Sequence, residues 1–192
     1  VRGGSGGAIN IECRVLAADG GILRARGGDN NNGNNSGAGG GGRIAIRYDP
    51  AAQATAPKPA FREICVRPGL NGISYFGGDL GTIYFTDDGF LGETVTGIWG
   101  QLSNMGAVLT RPNLLLTNAW IRFHDDPFTL AIEDTLTVGT GGRLEIGGGW
   151  ILANGCYRVP TQNTWHRYAQ NATALACGGD LVLTNGGQLT LY

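Results

Sequence analysis

Lysine is nearly missing from this chain. Lys58 is the only one; the other basic residues are Arg, charged residues of both signs reach only 15%, and the net charge is −1. No global field would steer such a molecule to nucleic acid or to an anionic membrane. Two readings of the Arg bias stand: recognition of carboxylates or phosphates, or a codon-composition bias in the source genome. No apolar run approaches the roughly 20 residues of a membrane-spanning helix.

Catalytic signatures are also scarce. There are two histidines, His124 and His166, and four serines, with neither a G-x-S-x-G elbow nor an H-E-x-x-H helix. The paired carboxylates Asp87-Asp88 and Asp125-Asp126 are adjacent, and adjacent strand residues point to opposite faces. Neither pair can therefore flank one sugar as glycosidase chemistry requires, and "DDG" and "HDDP" read as turns. No enzyme, cofactor or metal is predicted. The cysteines, Cys13, Cys65, Cys156 and Cys177, form no C-x-x-C pair, which removes the usual zinc and thioredoxin-like spacings.

Glycine is what the chain has in excess: 35 of 192 residues, about two and a half times the usual share. Yet 42% of the residues are hydrophobic, too many for a disordered chain. The glycines punctuate a repeat, a Gly pair followed by one variable residue and then apolar–x–apolar. It reads Gly6-Gly7-Ala8-Ile9-Asn10-Ile11, Gly41-Gly42-Arg43-Ile44-Ala45-Ile46, Gly141-Gly142-Arg143-Leu144-Glu145-Ile146, Gly178-Gly179-Asp180-Leu181-Val182-Leu183 and Gly186-Gly187-Gln188-Leu189-Thr190-Leu191. Looser copies start at Gly20 and Gly81. The longer strings "DTLTVGTGGRLEIGG" and "GDLVLTNGGQLTLY" match as pairs of short strands. Period-two alternation buries one face of each strand. Glycine is needed at the corners for positive φ or close backbone approach.

Units this short cannot bury an apolar face alone; stacked as coils they share a core. The predicted fold is all-β, a right-handed parallel β-helix or β-solenoid spanning 1–192 as one domain, with irregular insertions at about 49–69 and 154–178. The competing architecture is an antiparallel β-sandwich.

Three stretches depart from the repeat. "GGDNNNGNNSGAGGGG", residues 27–42, resembles a phosphate loop only superficially, because Arg43 and a strand follow where Lys and a helix should. Asp29 stands alone among five Asn, so the tract reads as a loop at a coil corner. In residues 49–69, Pro50, Pro57, Pro59 and Pro68 argue against a regular helix and for an extended excursion ending in the strand "AFREICV". In residues 154–180, Trp165, Tyr168, Ala169, Ala172, Leu175 and Ala176 fall at helical spacing, which predicts one short helix near 164–176. Tyr157, Trp165, His166 and Tyr168 are the candidate binding residues for a sugar or a protein partner, against the plainer reading that the aromatics cover the coil below. Cys156 and Cys177 flank this loop. Four cysteines allow three pairings; a Cys156–Cys177 disulfide would close a loop of about 20 residues, worth about 3 kcal/mol, with Cys13 and Cys65 as the other candidates.

The stretch from "GGSGGAINIECRVLAADGGILRARGGD" to "GGGGRIAIRYD", followed by "LGTIYF" and "TLTVGTGGRLEIGG", resembles the Gly-rich repeats of large bacterial secreted and cell-surface proteins, in the style of autotransporter passengers and filamentous adhesins. The resemblance implies a scaffold fold and an extracellular or cell-surface location. It implies no catalytic residue. The chain opens at Val1 inside a Gly-rich pattern and stops in "GGQLTLY", so it is expected to be cut from something longer or processed. The leading expectation is a structural β-solenoid, a segment of a giant surface protein or a self-associating filament subunit. The alternatives are a carbohydrate-binding or polysaccharide-cleaving β-helix and a protein-binding adhesin.

Overall fold

The computed structural model describes residues 3–30, 37–70, 78–123, 128–146 and 174–191. Within them the strands run β1 Ala8–Glu12, β2 Asp19–Arg24, β3 Arg43–Arg47, β4 Ala60–Cys65, β5 Thr82–Phe85, β6 Thr94–Val95, β7 Ile98–Ser103, β8 Val108–Arg111, β9 Leu114–Leu116 and β10 Ala119–Phe123. They continue with β11 Thr129–Ile132, β12 Leu136–Val138, β13 Gly142–Ile146, β14 Ala174–Cys177, β15 Leu181–Leu183 and β16 Gln188–Leu191. Every ladder among them is parallel. This is the all-β parallel solenoid expected from the repeat, and it excludes the antiparallel sandwich.

The C-terminal half is three-sided. One face carries β7-β10-β13-β16, the second β8-β11-β14 and the third β6-β9-β12-β15. Trp99 lies beside Trp120, a period of about 21 residues and within the range of solenoid repeats. Inward positions form apolar columns: Leu109, Leu130 and Leu175; Leu114, Leu136 and Leu181; Leu102, Phe123 and Ile146. The two longer matching strings are successive layers, with Leu136 beside Leu181 and Leu144 beside Leu189.

The N-terminal half has two ladders, β1-β3-β5 and β2-β4, which both join β7. Ile64 and Cys65 pair with Ile98 and Trp99, while Thr82, Ile83 and Tyr84 pair with Gln101, Leu102 and Ser103. Gly100 sits at this fork, where a Cβ would run into the Val66 and Ile83 side chains. The copies of the repeat at Gly6, Gly41 and Gly81 are stacked in register, Ile9 beside Ile44 beside Ile83.

Between these ladders, Gly-rich segments pack backbone on backbone. Gly39 N donates to Gly28 O (3.0 Å), Gly28 N to Gly4 O (2.8 Å), Gly69 N to Gly39 O (2.9 Å) and Gly6 N to Gly40 O (2.9 Å). The positions where a Cβ would collide with a neighbouring backbone include Gly3 and Gly6, Gly39 and Gly42, Gly78 and Gly81. None of these glycines has positive φ, so they are required for room alone.

Two local expectations are corrected. Residues 49–69 do hold a short helix, α1 Pro50–Ala54. Pro50 occupies the first turn, where no N–H is needed, and Asp49 Oδ1 accepts from Ala51 N (2.9 Å) and Ala52 N (3.2 Å). Gln53 anchors it by accepting from Leu16 N (2.7 Å) and donating to Leu16 O (3.2 Å). At the other site, the end of the helix expected near 164–176 is strand: β14 continues the ladder of β11, with Leu175 beside Leu130. A non-local column overrides the helical spacing there, and the rest of that prediction lies outside the described residues.

Candidate functional site

Of the residues singled out from the sequence, Cys156, Tyr157, Trp165, His166 and Tyr168 lie outside the described residues, as do His124 and Asp125-Asp126. Cys13, Cys65 and Cys177 are free thiols, so no Cys13–Cys65 disulfide forms. The two belong to different ladders. Cys13 follows β1 and its thiol approaches Arg47 O (3.7 Å), whereas Cys65 is buried on β4 between Arg24 and Trp99. Burial pushes the Cys65 thiol pKa up. Cys177 continues the inward column of Ile132, with its sulfur near Asp134 O (3.4 Å) and Asp180 O (3.3 Å).

Asp87 and Asp88 form a turn, as expected. Asp87 caps the 3₁₀ turn Asp88–Phe90 by accepting from Gly89 N (3.0 Å) and also accepts from Tyr48 Oη (2.7 Å). Burial, then the hydrogen bond to Asp87, raises the Tyr48 pKa. Asp88 pairs instead with Arg111 at 3.2 Å.

The most functional-looking surface lies outside the Gly-pair repeat. On the outer face of the main sheet, Trp99, Trp120, Arg143 and Gln188 stand side by side on β7, β10, β13 and β16. They line an open cleft of about 300 Å³ with Arg67 and Leu70. The Arg143 guanidinium lies over the Trp120 ring, 4.3 Å from its centroid.

The next outward row is ionic. Glu145 is fully buried and is gripped by Arg122 Nε (2.5 Å), Trp120 Nε1 (3.0 Å) and Arg143 Nε (2.6 Å). The Arg143 contact is an ion pair without the N–H aimed at the oxygen. Arg122 also holds both carboxylate oxygens of Asp79, at 3.0 and 2.9 Å. Burial works against the Arg122 charge, but Asp79 and Glu145 together raise its pKa. The row fixes Trp120 and Arg143 from beneath, and removing one partner from such a buried set is costly.

Arg67 is placed by Val66 N donating to Trp99 O (2.8 Å). Its Nε is buried without a hydrogen-bond partner. Among the described residues, the charged side chains lining the cleft are Arg67 and Arg143, and Arg143 is paired with Glu145 beside it. The signal was present in sequence as "IWGQL", "AWIRF" and "GRLEI", with Trp, Trp and Arg at the second position and a polar residue at the fourth. These segments stand apart from the Gly-pair repeat because neither Trp strand follows two glycines.

The last coil is a second notable surface. Leu181, Leu183 and Leu191 are 49%, 50% and 57% exposed, although their column partners Leu136, Val138 and Ile146 are each 0% exposed.

Fold and surface together define a parallel β-solenoid with a glycine-packed N-terminal half. Compared with family models, curated proteins and solved structures, the chain matches none of them.

Proposed function

We propose that this chain is a structural β-solenoid of a bacterial cell surface, a segment of a giant surface protein or a subunit of a self-associating filament, in which a further coil, of the same protein or of a second copy, covers the apolar edge formed by β14, β15 and β16. The carrying observation is the exposure of that edge. Leu181, Leu183 and Leu191 occupy inward positions, and β14, β15 and β16 each end their ladder. Solenoids need polar caps to remain soluble and single, and an apolar strand edge is a template for another chain. The Gly-pair repeats support the extracellular setting through their resemblance to surface-protein scaffolds.

Sedimentation velocity over a concentration series tests this reading. The intact chain is expected to form larger species as concentration rises. Leu181→Lys, Leu183→Lys and Leu191→Lys together should leave a folded monomer. A wild-type chain that stays monomeric at its solubility limit would sink the proposal, as would assembly that persists in the triple variant.

A further inference from the structure

We propose that the cleft bounded by Arg67, Trp99, Trp120, Arg143 and Gln188 binds an acidic, carboxylate-bearing sugar chain. This goes beyond the scaffold role and does not depend on end-on stacking. The argument is one of complementary shape and charge. Trp99 sits in direct register beside Trp120, whose ring carries the Arg143 guanidinium, so an indole and a stacked guanidinium stand side by side as the floor of the cleft. Trp99 has a polar edge as well as an apolar face, the combination that suits a sugar ring, apolar on its C–H face and wet at its hydroxyls.

Charge then selects among sugars. The floor is flanked by Arg67. Arg143 lies flat on Trp120 and is tethered by Glu145, so little freedom remains to be lost on binding. Glu145 is buried and shared between Arg143 and Arg122, the latter also paired with Asp79, so Arg143 enters the cleft as one half of an ion pair and contributes guanidinium donors more than net charge. Arg67 lines the cleft and is partly exposed there. A guanidinium is a planar fork that matches a carboxylate with two parallel hydrogen bonds. Gln188, next in the row and exposed, offers an amide to sugar hydroxyls. A neutral sugar would use the floor but bring no carboxylate to Arg67.

The test is a titration of the intact chain with hexagalacturonate, maltohexaose and sodium sulfate at constant ionic strength, read by tryptophan fluorescence. Saturable binding is expected for hexagalacturonate alone. Arg67→Gln with Arg143→Gln, which removes two charge-assisted contacts, should raise its Kd at least about tenfold with an unchanged circular dichroism spectrum. Should the double variant fold poorly, Arg67→Gln alone and Arg143→Lys, which keeps the charge but loses the fork, should each raise Kd at least about threefold. The proposal is overturned by no saturable response to hexagalacturonate, by maltohexaose binding equally well, by sulfate binding as tightly (a bare anion site), or by an unchanged Kd in folded variants.

Discussion

Gly39 and Gly40 are neighbours with opposite tolerances. A Cβ on Gly39 would overlap the Gly4 carbonyl, while one on Gly40 would meet Asp79 O at 3.8 Å, an ordinary contact. Both have negative φ, so conformational preference does not distinguish them; space does. Gly39→Ala must push apart two hydrogen-bonded backbones and should cost about 3 kcal/mol or more, at the severe end for a point substitution. Gly40→Ala should be neutral or stabilise by up to about 1 kcal/mol, by restricting the unfolded chain. Urea denaturation of the two variants checks this, and equal effects would contradict the packing account. The aromatic and charged residues follow the same logic: Trp120 and Arg143 are ordinary outward positions until the buried Glu145 holds both.

The elements meet at corners, and one corner is built on backbone handedness. Gly97, Asn118, Gly141 and Gly186 stack just before successive strands of the main sheet, with φ of +70°, +44°, +65° and +79°. Asn tolerates this left-handed region better than other non-glycine residues. Asn118→Gly should therefore be close to neutral, whereas Asn118→Val should lower stability by about 1–2 kcal/mol or more; thermal melts distinguish them. On the N-terminal side, β2 and β4 are tied by a fork between Arg24 and Glu63, with contacts of 2.6 and 2.5 Å. The hydrogen bond from Arg24 holds the Glu63 carboxyl below its usual pKa. The folded state then binds this proton more weakly than the unfolded one. The contribution is complete above the unfolded carboxylate pKa and is lost as pH falls through the lower, folded value. Because Arg24 is half exposed, solvent screens the pair and the effect is small. Denaturation midpoints measured from neutral pH into the acid range should fall less steeply in Glu63→Gln than in the parent.

At the scale of the molecule, the chain contains parallel ladders and, among its described residues, no hairpin. Each ladder joins strands at least a full coil apart in sequence, so loop closure comes before any pairing is rewarded. Refolding from urea is expected in the range of milliseconds to seconds or slower, which stopped-flow fluorescence measures; a microsecond phase carrying the full amplitude would contradict it. In the same topology Leu181, Leu183 and Leu191 face the position of a further coil and are exposed, the property on which the stacking proposal rests.

The sequence alone determined the strands and their stacking, because period-two alternation and a repeated Gly-pair signature are local and leave a narrow shared core as the solution. The first of its two main failures was at Pro50, where a capping Asp49 and a helical first turn make proline harmless. The second was at Leu175, where a column on Leu130 outweighs helical spacing. Tertiary structure alone decided why each Gly pair is there. Gly41-Gly42 makes room for the backbones of neighbouring layers, whereas Gly141 and Gly186 turn a corner in the left-handed region; the same two letters answer two different steric demands. It alone also brought Arg67 beside Trp99, Trp120 and Arg143, because the register of one coil on the next is set by the whole stack and not by any segment within it.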